Sequence, residues 1–139
     1  MKIAFVAGFA PIVADAAASR RFYAEALGIP LSSDEYPSTE SLPGVKHFGL
    51  WLLSEAARSC FGAPTWPSEL PVPQAAVEFD VDDVAAAAAE LAAAGYRLLH
   101  GPRTKPWGQT VARLLSPDGL RVGITYTPGS RPTIGVTAP

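Results

Sequence analysis

This chain has few histidines, a single cysteine and a small net charge. Its 139 residues include two histidines and one cysteine, and 11 basic against 13 acidic side chains leave a formal net charge of −2. The single cysteine, Cys60, cannot form an internal disulfide, which excludes a disulfide-stabilised scaffold. Lysine and arginine are scattered along the chain, so the basic surface that nucleic-acid binding requires is missing.

Long apolar runs are missing as well. No segment approaches the roughly 20 apolar residues that a membrane-spanning helix needs. Met1-Lys2 leads directly into an amphipathic segment instead of the apolar core of a secretory signal. With 48% hydrophobic and 17% charged residues, the chain has the composition of one globular domain with a sizeable core. We therefore expect a cytoplasmic, single-domain protein without nucleic-acid or membrane partners.

The chain contains an internal repeat. Residues 6–28 combine an apolar strand, a capping aspartate, an alanine-rich helix and a closing glycine, and residues 77–95 repeat that order. The caps are Asp15 and Asp83, the predicted helices cover 16–27 and 84–94, and the strands that close the two copies carry Gly49 and Gly123. Two copies of one unit predict an α+β fold with a pseudo-twofold sheet and a groove between the copies.

Turn-forming residues divide the remaining chain into short segments. Further strands are predicted at 3–14, 31–36, 45–53, 75–81, 96–99, 110–115 and 120–126, with a hairpin turn at Ser116-Pro117-Asp118-Gly119. Residues 54–73 are rich in Pro, Ser and Ala and predict a linker between module one, 1–53, and module two, 74–128. Residues 129–139 predict a frayed tail. Pro11 places the first strand at an edge, a bulge or a crossover.

Several separate motifs resemble those of one known superfamily. They are the two capped helices, Phe22-Tyr23 with Leu27-Gly28, Pro106-Trp107-Gly108 and the Pro-Asp-Gly turn at 117–119. Their order and spacing over residues 3–128 resemble the vicinal oxygen chelate superfamily of glyoxalases, dioxygenases and bleomycin-resistance proteins. The resemblance implies paired βαβββ modules, a U-shaped groove and a homodimer. Pro11 matches a first-strand proline that directs strand exchange between subunits in the bleomycin-resistance proteins.

The resemblance also implies where a metal would be held. Enzymes of the superfamily bind a divalent metal through His, Glu or Gln on the first and last strand of each module. The matching positions here are Gly8, Gly49, Ala76 and Gly123. None of them has a metal-binding side chain, and a metal site needs three or four N, O or S ligands. We therefore expect no metal and no cofactor, as in the metal-free drug-binding members.

Strand alternation assigns the groove residues. It places Gly8, Gly49, Ala76 and Gly123 on one face, which predicts a flat floor. Two indoles could stack on a planar ligand above it. The candidate ligand-binding residues are Trp107, Trp51, His47, Gly49, Gly123, Gly8, Ala76, Glu78, Trp66 and Gln109. No catalytic residue is assigned.

Structural roles compete with some of these assignments. Trp51 could equally belong to the core or to a dimer interface. Trp66 could pin the loop in which it lies, or cover the neighbouring groove in a dimer. His47 has no visible carboxylate or nucleophile partner, which favours an ordinary hydrogen-bonding role over that of a general base. Glu78 and Asp80 share the groove alternation and could attract an amine.

Three functions fit these patterns. The first is sequestration of a bulky, partly aromatic antibiotic, which confers resistance without chemistry. The chain is only mildly acidic, so a mitomycin, quinoxaline or enediyne ligand is favoured over the strongly cationic bleomycin. The alternative is a metal-independent enzyme of natural-product biosynthesis, in which His47 would act with Glu78 or Asp80. The third is a partner-binding scaffold with a vestigial groove.

Overall fold

The computed structural model describes residues 1–131 of the chain. Within them, eight strands alternate with three helices. In chain order these are β1 (Phe5–Val13), α1 (Ala16–Arg20), a π-helical turn (Arg21–Ala26), β2 (Ser38–Thr39), β3 (Phe48–Gly49), β4 (Trp51–Leu52), α2 (Leu53–Phe61), β5 (Ala75–Asp80), α3 (Val84–Ala93), β6 (Leu98–Thr104), β7 (Thr110–Leu115), β8 (Arg121–Tyr126) and a 3-10 turn (Pro128–Ser130). None of these helices is long and apolar enough to cross a membrane.

The strands form one mixed sheet in the order β2-β3-β1-β5-β8-β7-β6, and β4 pairs with the end of β1. The first strands of the two modules, β1 and β5, lie antiparallel at its centre. On either side each pairs in parallel with later strands of its own module, β3 and β4 with β1, and β8 with β5. The predicted α+β fold is confirmed.

Module two follows the sequence pattern closely. Asp83 accepts a hydrogen bond from the amide of Ala86 at 3.0 Å and so caps α3. Gly95 follows its C-terminus at φ +97°, a backbone conformation that favours glycine. The apolar face of α3 packs on β6, β7 and β8. The buried core there consists of Val81, Val84, Ala87, Ala88, Ala112, Leu114 and Ile124.

Module one begins in the same way but packs differently. Asp15 caps α1 through the amide of Ala18, and Gly28 follows the helical segment at φ +76°. No residue of α1 or of the π-helical turn is buried. The helical period of the sequence would place Phe22 and Leu27 on an inner face, but their side chains are 53% and 56% exposed in the single chain. Strands β2, β3 and β4 have two residues each and offer this helix little surface to pack on.

Two predicted segments of module one are wrong. Residues 31–36 form bends instead of a strand, and the predicted strand 45–53 is reduced to β3 and β4. The predicted linker contains α2, whose Ala56, Ala57 and Cys60 are buried. This helix packs with Trp66 and places further side chains beside the sheet.

The structure also settles the positions of Pro11 and of the start of the tail. Strand β1 is central instead of an edge, and Pro11 lies where its pairing passes from β3 at Phe9 to β4 at Ile12. The tail is ordered at its start, because the Arg131 guanidinium binds the buried Asp80 carboxylate at 2.8 Å. Residues 132–139 of the predicted frayed tail lie outside the described part of the chain.

Candidate functional site

A groove of about 650 Å³ opens on the sheet. Its walls come from both modules, from α2 and from the loop before β7. Eight of the ten predicted ligand-binding residues line it: Gly8, His47, Gly49, Trp51, Ala76, Glu78, Trp107 and Gln109. The placement of these residues was predictable from strand alternation and from the Pro-Trp-Gly turn. Their contact with a ligand remains a prediction.

Two predicted residues lie outside the groove lining. Trp66 is buried against Phe61, and its indole N–H donates to the carbonyl of Pro71 at 3.0 Å. It therefore pins the segment after α2, and its burial leaves it no surface with which to cover a neighbouring groove. Gly123 lies beneath Glu78 instead of facing the open space.

The floor of the groove is built around Glu78. In the sheet register Gly8 on β1 and Gly123 on β8 are its two cross-strand neighbours. A Cβ atom on Gly123 would lie 3.1 Å from Glu78 Cγ, and one on Gly8 would lie 3.5 Å from its Oε1. The two glycines thus leave room for one carboxylate side chain. The prediction of a flat floor is therefore wrong.

These residues do not fit the metal that the superfamily implies. Gly8, Gly49, Ala76 and Gly123 offer no donor atom at the four matching positions. Across residues 1–131, no three His, Cys, Asp or Glu side chains are grouped so that they could hold a metal ion. No chemical step is therefore assigned to a metal.

A chain of hydrogen bonds links Trp107 to the floor. The indole N–H of Trp107 donates to Gln109 Oε1 at 3.0 Å. The amide nitrogen of Gln109 donates in turn to Glu78 Oε1 at 3.1 Å and to Thr127 Oγ1 at 3.0 Å. Gln109 is buried, so its orientation is fixed by these partners. The Trp107 ring is held by one edge while 66% of its surface stays exposed.

Trp51 lies over two buried arginines. The guanidinium carbon of Arg121 is 3.8 Å from the centre of the indole ring, and that of Arg113 is 5.4 Å away. Both side chains are 1% exposed. Burial, together with the charge of Arg113, lowers the pKa of Arg121 to about 10. Trp51 therefore covers these cations and also lines the groove.

Arg113 is a site residue that the sequence analysis missed. Its Nη1 donates to Ser59 Oγ at 2.8 Å and lies 3.3 Å from His100 Nε2. Burial lowers the pKa of His100 to about 4, and the backbone carbonyl of Gly101 lies 2.7 Å from its Nδ1. His100 is therefore neutral near pH 7 and accepts a hydrogen bond from the Arg113 guanidinium.

Two sequence signals could have identified this wall of the groove. Apolar residues recur at helical spacing from the end of module one into the predicted linker, as expected for a helix with one apolar face: Leu53, Ala56, Ala57, Cys60 and Phe61. That helix supplies Glu55, Arg58 and Ser59 to the groove. The second signal is Arg113 itself, a charged residue inside the apolar run of β7.

The remaining polar candidates are not assembled as an acid–base pair. His47 is exposed and forms no hydrogen bond or ion pair with Glu78 among the described residues. Asp80 is fully buried and binds Thr125, the amide of Thr127 and Arg131. The expectation that Asp80 faces the groove is therefore wrong.

Solved structures share this fold at low sequence identity. A superfamily member from Vibrio splendidus 12B01 matches with a TM-score of 0.59 and 17% identity, covering 88% of this chain and 97% of its own. Methylmalonyl-CoA epimerase from Streptomyces coelicolor matches with a TM-score of 0.57 and 16% identity, covering 94% and 99%. At this identity the likeness shows the fold alone. No curated protein matches the chain.

The family itself is set by the sequence. The pattern of the glyoxalase/bleomycin resistance protein/dioxygenase superfamily matches residues 6–124, which is most of the chain and covers the larger part of each module. The strand order, the two capped helices and the groove at the sheet agree with that match. The chain belongs to the glyoxalase/bleomycin resistance protein/dioxygenase superfamily.

Proposed function

We propose that the protein is a metal-free small-molecule-binding protein that sequesters a bulky, partly aromatic antibiotic and thereby confers resistance. One observation carries this proposal. The positions that match metal ligands hold glycine and alanine, while the same groove of about 650 Å³ presents Trp51 and Trp107. This volume suits a drug-sized molecule.

Trp107 is the main support for stacking. A large aromatic ring that is 66% exposed gains free energy when a ligand covers it. The hydrogen bond to Gln109 already fixes its orientation, so little side-chain entropy is lost on binding. An aromatic ligand adds about 0.5 to 1.5 kcal/mol of stacking beyond the buried area.

The charges in the groove favour some antibiotics over others. Arg58 and Arg113 line it together with Glu40, Glu55 and Glu78, so the groove has no large excess of negative charge to attract a strongly cationic glycopeptide such as bleomycin. Mitomycin, quinoxaline and enediyne compounds present flatter and less cationic surfaces. These classes therefore remain the favoured ligands.

A panel of mitomycin C, a quinoxaline antibiotic and bleomycin tests the proposal. We expect the first or the second to quench tryptophan fluorescence, to be recovered intact and to be less toxic to cells that express the protein. Trp107→Ala should lose about 1 to 3 kcal/mol of affinity, roughly 5-fold to 150-fold. His47→Ala is the matched control and should bind as the parent does. Unchanged affinity of Trp107→Ala would refute the stacking site.

A metal-independent enzyme is the second candidate, because Glu78 places a carboxylate in the groove. Its Oε1 accepts from Gln109, and its Oε2 lies 3.9 Å from Arg113 Nη2. A base beside a fixed cation could remove a proton from a ligand and stabilise the resulting anion. Chromatography of the bound compound distinguishes the two functions, since conversion that is lost in Glu78→Gln would establish an enzyme.

A further inference from the structure

We propose that the groove contains an anion subsite formed by the Arg113 guanidinium, and that its ligand is a planar aromatic acid. The proposal rests on the proposed function and specifies the chemistry of the ligand. The carboxylate of the ligand would face Arg113 while the aromatic part lies against Trp51 or Trp107.

The hydrogen bonds of Arg113 are incomplete. Its side chain lines the groove but is only 1% exposed. Nη1 contacts Ser59 and His100, whereas the buried Nε has no hydrogen-bond partner among the described residues. Nη2 approaches Glu78 Oε2 at 3.9 Å, which is an ion-pair distance and not a hydrogen bond. A guanidinium whose donors are not all paired costs free energy, and a ligand oxygen that reached Nη2 from the groove would recover part of it.

The surroundings of Arg113 are also unbalanced in charge. Arg103, Lys105, Arg113 and Arg121 form a basic cluster at the C-terminal end of α2. Arg103 and Lys105 both lie 3.4 Å from the carbonyl of Ser59, and Arg113 bonds its hydroxyl. Burial and the neighbouring Arg113 lower the pKa of Lys105, as expected where cations crowd together. His100 is neutral near pH 7 and cannot offset or add to this charge.

Glu78 is the one carboxylate within ion-pair distance of Arg113 among the described residues. One of its oxygens is already engaged by Gln109. The excess of positive charge is therefore local to Arg113, whereas Glu40 and Glu55 line other parts of the groove. A carboxylate matches the planar fork of a guanidinium, and pairing in a partly buried site is stronger than in water. A cationic ligand would face repulsion at the same place.

The test compares 1-naphthoate with 1-naphthamide, which share the aromatic ring and differ in charge. Calorimetric titration of the full chain at pH 7.5 should give naphthoate the tighter binding by about 10-fold to 100-fold, the range of a hydrogen bond to a charged group. Arg113→Gln should abolish this preference, because both probes then meet an uncharged side chain in the groove. Arg97→Gln is the matched control, because Arg97 is exposed, lies outside the basic cluster and does not line the groove, and it should keep the preference.

A second variant covers the case in which Arg113→Gln does not fold, as judged by circular dichroism. Glu78→Gln removes the competing carboxylate and should increase the naphthoate preference about 3-fold to 10-fold. Equal affinity of the two probes would overturn the anion subsite and leave the aromatic groove intact. Tighter binding of naphthamide, or a naphthoate preference that Glu78→Gln lowers, would overturn it as well. Failure of both probes to bind would overturn the subsite together with the proposed function.

Discussion

Mild acid should destabilise the fold through His100. The imidazole is buried, and this burial lowers its pKa from the ordinary 6.5 to about 4. Between these two pH values the unfolded chain binds a proton at residue 100 that the folded chain does not. The stabilising contribution of neutral His100 is therefore complete above pH 6.5 and is lost as the pH falls toward 4.

The size of the effect follows from the same shift. One pKa unit corresponds to about 1.4 kcal/mol, so the full transition is worth at most about 3 kcal/mol. Protonation would also place a cation 3.3 Å from Arg113 Nη1, so the Arg113 side chain would lose an acceptor at the same time. We expect His100 alone to lower the free energy of unfolding by about 2 to 3 kcal/mol between pH 7.5 and pH 4.5, in addition to the contributions of other titrating groups.

Urea unfolding at one protein concentration measures this loss, with His100→Gln as the reference. Glutamine does not titrate and can still accept a hydrogen bond from Arg113, so its free energy of unfolding should fall less steeply with acid. His47→Gln replaces an exposed imidazole outside this network. It is the control for the effect of losing a histidine on the pH dependence of unfolding. Parallel losses in the parent and in His100→Gln would refute the reasoning.

Three further outcomes are expected. Elemental analysis should find no stoichiometric transition metal, and about one zinc, iron, nickel or manganese per chain would contradict the conclusion that the groove residues cannot hold a metal. Sedimentation should give about twice the 14.6 kDa mass of the chain, since a partner would cover the exposed Phe22, and the mass of one chain at micromolar concentration would contradict it. Gly123→Ala should lower the free energy of unfolding by about 1 to 3 kcal/mol, because the added Cβ would press on Glu78. The loss should be smaller in a Glu78→Ala background, and Gly101→Ala, whose Cβ meets open space, is the control. Equal losses in both backgrounds would contradict the contact.

Most of module two was predictable because its local signals agree with its packing. The exception is the strand predicted at 96–99, which the structure has at Leu98–Thr104 as β6. Asp83 and Gly95 mark the two ends of α3, and the strand 110–115 was predicted with the bounds that β7 has. The Pro-Asp-Gly turn has Gly119 at φ +87°, and its amide bonds the carbonyl of Ser116 at 2.9 Å. Cap, period and turn therefore indicate one structure.

Module one was predicted less well because its local signals do not determine its packing. Residues 31–36 have an apolar residue at each end and four polar residues between them, and their hydrogen bonds form a turn around Ser32 and Asp34 instead of a strand. In α2, Pro and Ser in the surrounding segment obscured a short helical period. Phe22 satisfies the pattern of an inner helix face, but in the single chain no neighbouring element covers it.

For the groove, strand alternation identified the floor but not the wall. Gly8, Ala76 and Glu78 follow from the period of two along β1 and β5. Arg113 and Arg121 could not be assigned in that way, because their burial depends on α2 and Trp51 lying over them. Such contacts join residues about 60 positions apart, and no local pattern records them.

The ion pair between Arg131 and Asp80 makes the groove depend on a segment beyond the last strand. Thr127 and Ser130 line the groove, and the amide of Thr127 together with Arg131 satisfies a carboxylate that has no exposure to water. Cleavage after Tyr126 would remove both lining residues and leave a buried charge with only Thr125 as its partner. The rate at which proteases cleave this short segment thus measures whether a binding site formed mostly by the sheet is intact.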